Sequence, residues 1–322
     1  MRSRAASVAG SLALASVLLV SACGGDESGS AQAGDLVRGR LGEVEGTTHS
    51  LLLPNGLLTV VAAEGPDSIG PTDAADGREH PAPDGAEWLT LDWELSPGEG
   101  LDPFQRTLME DTAQRTTLEL VAGDATTELG DAPGSTSTPT EVRTGGTVYV
   151  AVASGESPVV EVTFDGVTTS LDLDTGSATG DRADALADLA APESAECPPL
   201  RGTGVSADVA CTYTLTRVPY LSGQGWSDGD GWTVAQVETR IDSFTRAGTT
   251  YDVQGAEDAS GFDGTTGEST VVDERLTSLV TRVVVDGNPS TLDIARTLTG
   301  LRADGQGPED ASAELTGTVE LG

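Results

Sequence analysis

Lysine is absent from all 322 residues, and every one of the 17 basic residues is Arg. This removes a Schiff-base lysine, a phosphate-loop lysine and a Ser-x-x-Lys nucleophile together. Histidine is almost as scarce, with only His49 and His80 available as an imidazole base. Ser50 adjoins His49, but neighbours in sequence do not make a catalytic pair, and each histidine reads as a solvated loop residue. Gly225-Trp226-Ser227-Asp228-Gly229 has Gly-x-Ser-x-Gly spacing but leads into a turn and a strand rather than a helix, so it is no nucleophile elbow. No His-Glu-x-x-His zinc motif occurs, the glycines at 223, 225, 229 and 231 form no dinucleotide fingerprint, and Gly202 with Gly204 lacks the third glycine. The chain is therefore read as non-enzymatic, with no catalytic, cofactor or metal residues. Positive charge is short overall: 52 acidic residues against 17 basic give a net charge of −35, which repels nucleic acid and anionic headgroups and attracts cations. No nucleic-acid partner is expected. Aromatics make up only 4% of the chain, so its cores must rest on Val, Leu and Ala with a few Trp and Phe anchors. The missing lysine fits a GC-rich genome that replaces Lys codons by Arg codons; a high-salt habitat is the alternative.

The first 22 residues have the layout of a secretory signal peptide. Arg2 and Arg4 precede an apolar run from Ala5 to Val20, shorter than the roughly 20 residues that span a bilayer as a helix. The run ends in Val20-Ser21-Ala22-Cys23, which resembles the lipobox of bacterial lipoproteins. The composition in turn resembles envelope lipoproteins of actinomycetes. The resemblance implies a diacylglycerol on the Cys23 thiol, cleavage after Ala22, an acylated N-terminus (palmitate or similar) and a lipid anchor on the extracytoplasmic face of the cell membrane. Two acyl chains hold a protein stably at about 0.8 kcal/mol per buried methylene, where one chain binds only marginally. There is no twin-arginine pair, so the general secretory route is expected. Residues 23–35 are small and polar and read as a flexible tether, reaching at most about 40 Å at roughly 3.5 Å per residue.

The mature part shows a repeat. Asp84-Gly85-Ala86-Glu87-Trp88 opens one alternating stretch, and Asp228-Gly229-Asp230-Gly231-Trp232 opens another. Further on, Asp165-Gly166 and Asp286-Gly287 each lie between two β-rich runs, a hairpin signature. From Trp88 to Asp165 is 77 residues and from Trp232 to Asp286 only 54, so the first copy holds an insertion. Residues 101–115, with Leu101, Phe104, Leu108 and Met109 near helical spacing, supply it. Further strand candidates are 57–62, 117–121, 147–153, 211–217, 271–272 and 314–321. The fold class is mainly β: two tandem, duplicated, immunoglobulin-like β-sandwiches, over 36–176 and 200–322, with a short helical insertion in the first. The linker is 177–199, with an Ala-rich helix over 181–191 before Pro192. The true immunoglobulin Cys-Trp-Cys spacing is absent, so the likeness is one of architecture.

With Cys23 assigned to lipid, Cys197 and Cys211 remain, an even pair outside the cytoplasm and hence a disulfide. Asp172 with Asp174, and Asp228 with Asp230, are the calcium candidates, but neither completes a twelve-residue loop and solvated carboxylates are the default. Trp88 and Trp232 read as core anchors, and Trp226 as the best exposed aromatic. The expected function is that of a surface-tethered binding or scaffold module with an envelope protein or glycan partner. A ligand- or metal-carrying lipoprotein that serves a transporter is one alternative; a hydrolase using His49 or His80 in a cleft is another.

Overall fold

Apolar residues at every second position run along the strands. In Thr47–Leu53 they are Leu51 and Leu53, in Ala86–Pro97 Leu91, Trp93 and Leu95, and in Arg115–Ala122 Leu118 and Leu120; all are buried. Period 2 puts such a file on one face of a pleated strand, so each sheet has a face that must be covered. The computed structural model describes residues 32–321 apart from 41, 43, 112, 134–143, 181 and 265–268. The signal segment 1–22, Cys23 and the tether as far as residue 31 lie outside the described residues. No described helix is long and apolar enough to cross a membrane.

The fold is mainly β, with four large antiparallel sheets that pair into two sandwiches. Sheet I runs Leu36–Arg38, Thr144–Ala153, Ala86–Pro97, Gly56–Glu64, Thr47–Leu53. Sheet II runs Ala178–Thr179, Val167–Asp172, Val159–Phe164, Arg115–Ala122, Ala125–Pro133. Their facing files, among them Leu58, Leu91 and Val150 from sheet I and Leu118, Val160 and Leu171 from sheet II, form the first core. Sheet III runs Glu193–Glu196, Ala210–Val218, Trp232–Arg240, Ser278–Asp286, Ser269–Arg275. Sheet IV runs Val205–Ala207, Ser243–Arg246, Thr249–Asp258, Thr291–Asp304, Gly261–Phe262, with Asp310–Glu320 also on Thr291–Asp304. Val237 and Val283 meet Phe244, Leu292 and Ile294 in the second core. Residues 31–322 cluster as one compact unit.

The two Trp motifs occupy equivalent places. Each opens the central strand of its sheet, flanked by the preceding long strand on one side and a later strand on the other. Both indoles are on the sheet's outer face rather than in the sandwich core. Each donates its N–H to a carbonyl of a short two-stranded ribbon just before it. Trp88 bonds His80 O at 3.2 Å under the ribbon Ser68–Ile69/His80–Pro81, and Trp232 bonds Gly225 O at 3.0 Å under Tyr220–Leu221/Gly225–Trp226. The Asp-Gly pairs, by contrast, do not match. Asp165-Gly166, at φ +45° and +75°, closes a two-residue hairpin between Val159–Phe164 and Val167–Asp172. Asp286-Gly287 instead carries the chain from sheet III to sheet IV. There Gly287 N–H bonds Gly231 O at 2.9 Å, and Asp263 accepts the N–H groups of Ser290 and Thr291, so the three residues after Gly287 turn the chain across the sandwich.

The insertion holds helix α1, Pro103–Met109, capped by Asp102, whose carboxylate accepts the N–H of Phe104 at 2.8 Å. The linker is shorter than 177–199 at both ends. Ala178–Thr179 belongs to sheet II and Glu193–Glu196 to sheet III, leaving helix α2, Ala183–Ala187, and a few extended residues between them. The tether is likewise shorter than 23–35: Gly34 N–H bonds Ala151 O at 2.8 Å and Thr127 donates to Gly34 O, so residues 32–35 belong to the body.

Candidate ligand groove at the sandwich junction

The junction begins at α1. Its inner side buries Leu108 and Met109 against Phe164 of the first sandwich and Val218, Tyr220, Leu221 and Val234 of the second. Phe164, Tyr220 and Trp226 pack edge to face, with ring centroids 5.1 Å apart for Phe164–Tyr220 and 5.3 Å for Tyr220–Trp226. The Trp226 indole donates to Phe164 O at 3.2 Å. Trp226 is thus an interface residue and not an exposed platform, because the ribbon that carries it is folded onto the hairpin tip at Phe164. Asp111, just after α1, accepts from Ala113 N at 2.9 Å, Tyr220 OH at 3.2 Å and Gly223 N at 3.3 Å. Desolvation opposes its charge, but these donors outweigh it and hold the carboxyl below its ordinary range. Burial, followed by the charges of Asp111 and Asp165, pushes the Tyr220 hydroxyl well up, so it stays a donor.

The linker is fastened across this junction. Gln105 of α1, almost fully buried, donates to Ala190 O at 2.6 Å and to Thr216 at 3.2 Å. Between the linker and the second sandwich this leaves a groove of about 610 Å³. Its lining includes Leu189, Leu215, Val218, Pro219, Pro289 and Leu321, of which Leu215 and Leu321 also pack against the second core and Leu189 and Val218 against the junction. The lining also includes the exposed Asp184, Asp188, Glu193, Asp230 and Glu320, with Arg217 as its single cation, bonded to the Asn288 side chain. Tyr213, which packs partly against the second core, is also in the lining. A groove of this volume, lined by apolar and charged side chains together, is of a size for a small ligand.

The disulfide between Cys197 and Cys211 is present, with Cα atoms 5.3 Å apart, and ties the linker's end to the second strand of sheet III. His49 is not in a solvated loop. It shares the inward file of Leu51 and Leu53, is 7% exposed, and its Nε2 has no hydrogen-bond partner. His80 sits in a ribbon strand and pairs with Asp76 at 3.0 Å. Neither histidine bonds a serine among the described residues. Asp172 spends an oxygen on the N–H groups of Asp174 and Thr175, which depresses its pKa, and Asp228 is exposed beside a turn organised by Ser227. Among the described residues no three His, Cys, Asp or Glu side chains converge as metal ligands.

One site escaped sequence reasoning altogether. Arg296 and Asp258, both almost fully buried, form an ion pair inside the second sandwich. Arg296 also donates to Thr239, Ser260 and Thr281 at 2.8–3.1 Å, joining sheet IV to sheet III, and burial lowers its pKa to about 10. Ser260 donates to Asp258 at 2.7 Å but is itself fully buried, so a substrate has no route to it. The signal was an Arg in the inward file Leu292, Ile294, Arg296, Leu298. No family model, no curated protein and no solved structure matches the chain, so what the groove does has to be argued from its own residues.

Proposed function

We propose that this chain is a bacterial lipoprotein, held at the extracytoplasmic face of the cell membrane by lipid on Cys23, whose body is a non-enzymatic binding module of the envelope. The anchor rests on the basic, apolar and lipobox segments in register at 1–23. The binding role rests on one observation: the groove of about 610 Å³ that the linker forms with the second sandwich, lined by apolar side chains and exposed carboxylates. A carrier that hands its ligand to a transporter is the second reading, favoured by the groove's volume of about 610 Å³, which suits a small ligand. Mass spectrometry of protein extracted from membranes tests the anchor. An N-terminus at Cys23 bearing diacylglycerol is expected, and Cys23→Ala protein should carry no lipid. A native chain that keeps residues 1–22, or has an unmodified Cys23, overturns it.

A further inference from the structure

We propose that a second pocket, at the end of sheet IV remote from the groove, binds an uncharged saccharide. Two turns enclose it. Ala247-Gly248 joins Ser243–Arg246 to Thr249–Asp258, and residues 305–309 join Thr291–Asp304 to Asp310–Glu320. Its volume is about 670 Å³, within the range of small-ligand sites. Asp310–Glu320 runs from this pocket to the groove, about 33 Å at roughly 3.3 Å per residue, so the two are separate sites and neither depends on the other.

Two independent observations carry the proposal. The first is Tyr251, whose ring belongs to the second core, stacked on Phe244 at 5.2 Å between centroids, so that the residue is only 2% exposed. Its hydroxyl alone reaches the pocket, beside Gly307, and has no hydrogen-bond partner among the described residues. A buried hydroxyl left unbonded is costly, and a ligand hydroxyl placed there would satisfy it. Gly307 makes the room: a Cβ at that position would lie 2.5 Å from the Tyr251 hydroxyl and 2.7 Å from Thr249 Oγ1.

The second is the balance of the lining. Arg246 and Asp310 are its only charged side chains, in a chain of net charge −35. Arg246 spends one N–H on Ser312 O at 2.7 Å and has no carboxylate partner, while Gln306 and Asp310 have no side-chain partner among the described residues. Thr249 Oγ1 accepts the Gly307 N–H at 3.0 Å and keeps its own hydrogen to donate. Donors and acceptors thus stand side by side without net charge, and the aliphatic side chains are only Ala247, Pro308 and Ala311. A bare cation finds one carboxylate here, an anion one guanidinium already partly engaged, and a lipid or aromatic ligand no apolar bed. A saccharide fits, because each of its hydroxyls both donates and accepts, and adjacent hydroxyls match the planar carboxylate, carboxamide and guanidinium groups.

The test titrates the intact protein, in nanodiscs of zwitterionic lipid, with maltose, cellobiose, mannobiose and diacetylchitobiose, and with glucuronate and triglycine as the anionic and peptide alternatives. Binding is read by calorimetry, with hydrogen exchange to locate the contact. Saturable binding of at least one neutral disaccharide is expected, with a dissociation constant of about 1 mM or tighter and protection at 246–251 and 305–312. Gln306→Ala with Asp310→Ala, both exposed side chains, should weaken it at least about tenfold, and Tyr251→Phe, which keeps the ring on Phe244, about threefold. Asp188→Asn with Glu193→Gln, in the groove, should leave it within about twofold. If glucuronate or triglycine binds the pocket as tightly as the best disaccharide, the ligand class is wrong. If no disaccharide protects those segments, or if the pocket variants bind as well as the unaltered protein, the pocket is not a saccharide site and the proposal is overturned.

Discussion

In the first sandwich, the ribbon over Trp88 lies on its own sheet, and Ile69, Ala74 and Ala151 close a small cluster with the indole. In the second, the ribbon over Trp232 turns Tyr220, Leu221 and Trp226 towards the other sandwich, where they meet Phe164 and α1. The two ribbons join equivalent strands and bond equivalent indoles, yet one seals a surface and the other makes a junction. What separates them is the partner: only the first sandwich carries the insertion, and Leu108 O of α1 accepts the N–H of Ser222 at the second ribbon's tip at 2.8 Å. The cores differ as well. The first is built of aliphatic side chains around Trp93, whereas the second encloses the Arg296–Asp258 pair. A buried ion pair helps only while complete, so the second sandwich holds a polar layer that is sensitive to any single loss.

The largest effect should come from breaking that layer. Arg296→Met or Asp258→Leu alone leaves a buried charge without its partner and should cost about 3–5 kcal/mol in denaturant unfolding. The double variant should recover most of the loss, whereas additive losses would show that the two side chains act separately. Trp93→Ala, the aliphatic core's counterpart, should cost a similar 3–5 kcal/mol, with no second change that restores it. Reducing the Cys197–Cys211 bridge should cost about 3 kcal/mol, from a closed loop of about 15 residues, and, because the two sandwiches unfold together, speed exchange of the slowest amides in both.

The junction should be weaker and pH-dependent. Because the Asp111 carboxyl is held below its ordinary range in the folded chain, its contribution is fully present above the unfolded carboxylate pKa and is lost as pH falls through the folded value. Exchange at the ribbon tip, residues 222–224, should therefore rise in acid below about pH 4. Asp111→Asn should remove that dependence and cost about 1 kcal/mol at neutral pH. The smallest effect belongs to Leu276→Ser: the side chain is 60% exposed on the outermost hairpin of sheet III, and stability should shift by no more than about 0.5 kcal/mol.

Much of this contrast could be read along the chain, and the reasons for the misses are physical. Alternation located the strands, since half-buried sheets impose it on sequences such as Leu118-Glu119-Leu120. Spacing likewise located α1. His49 was misread through its neighbour Ser50, when its own file with Leu51 and Leu53 points inward. Asp286-Gly287 has the local chemistry of a hairpin turn, but whether a turn joins two strands of one sheet or crosses to the facing one depends on contacts such as Asp263 to Ser290, which are distant in sequence. The groove was out of reach for the same reason, because its lining comes from residues 184–193, 213–219, 230, 288–289 and 320–321.

The aromatic junction joins the two sandwiches as one body, and Gln105 fastens the linker to it. Scanning calorimetry of the intact protein tests this directly. A single transition is expected, with equal calorimetric and van't Hoff enthalpies, splitting into two in the Phe164→Ala, Trp226→Ala double variant. Two separate transitions in the unaltered protein would mean that the sandwiches unfold independently, and would contradict a junction that joins them as one body.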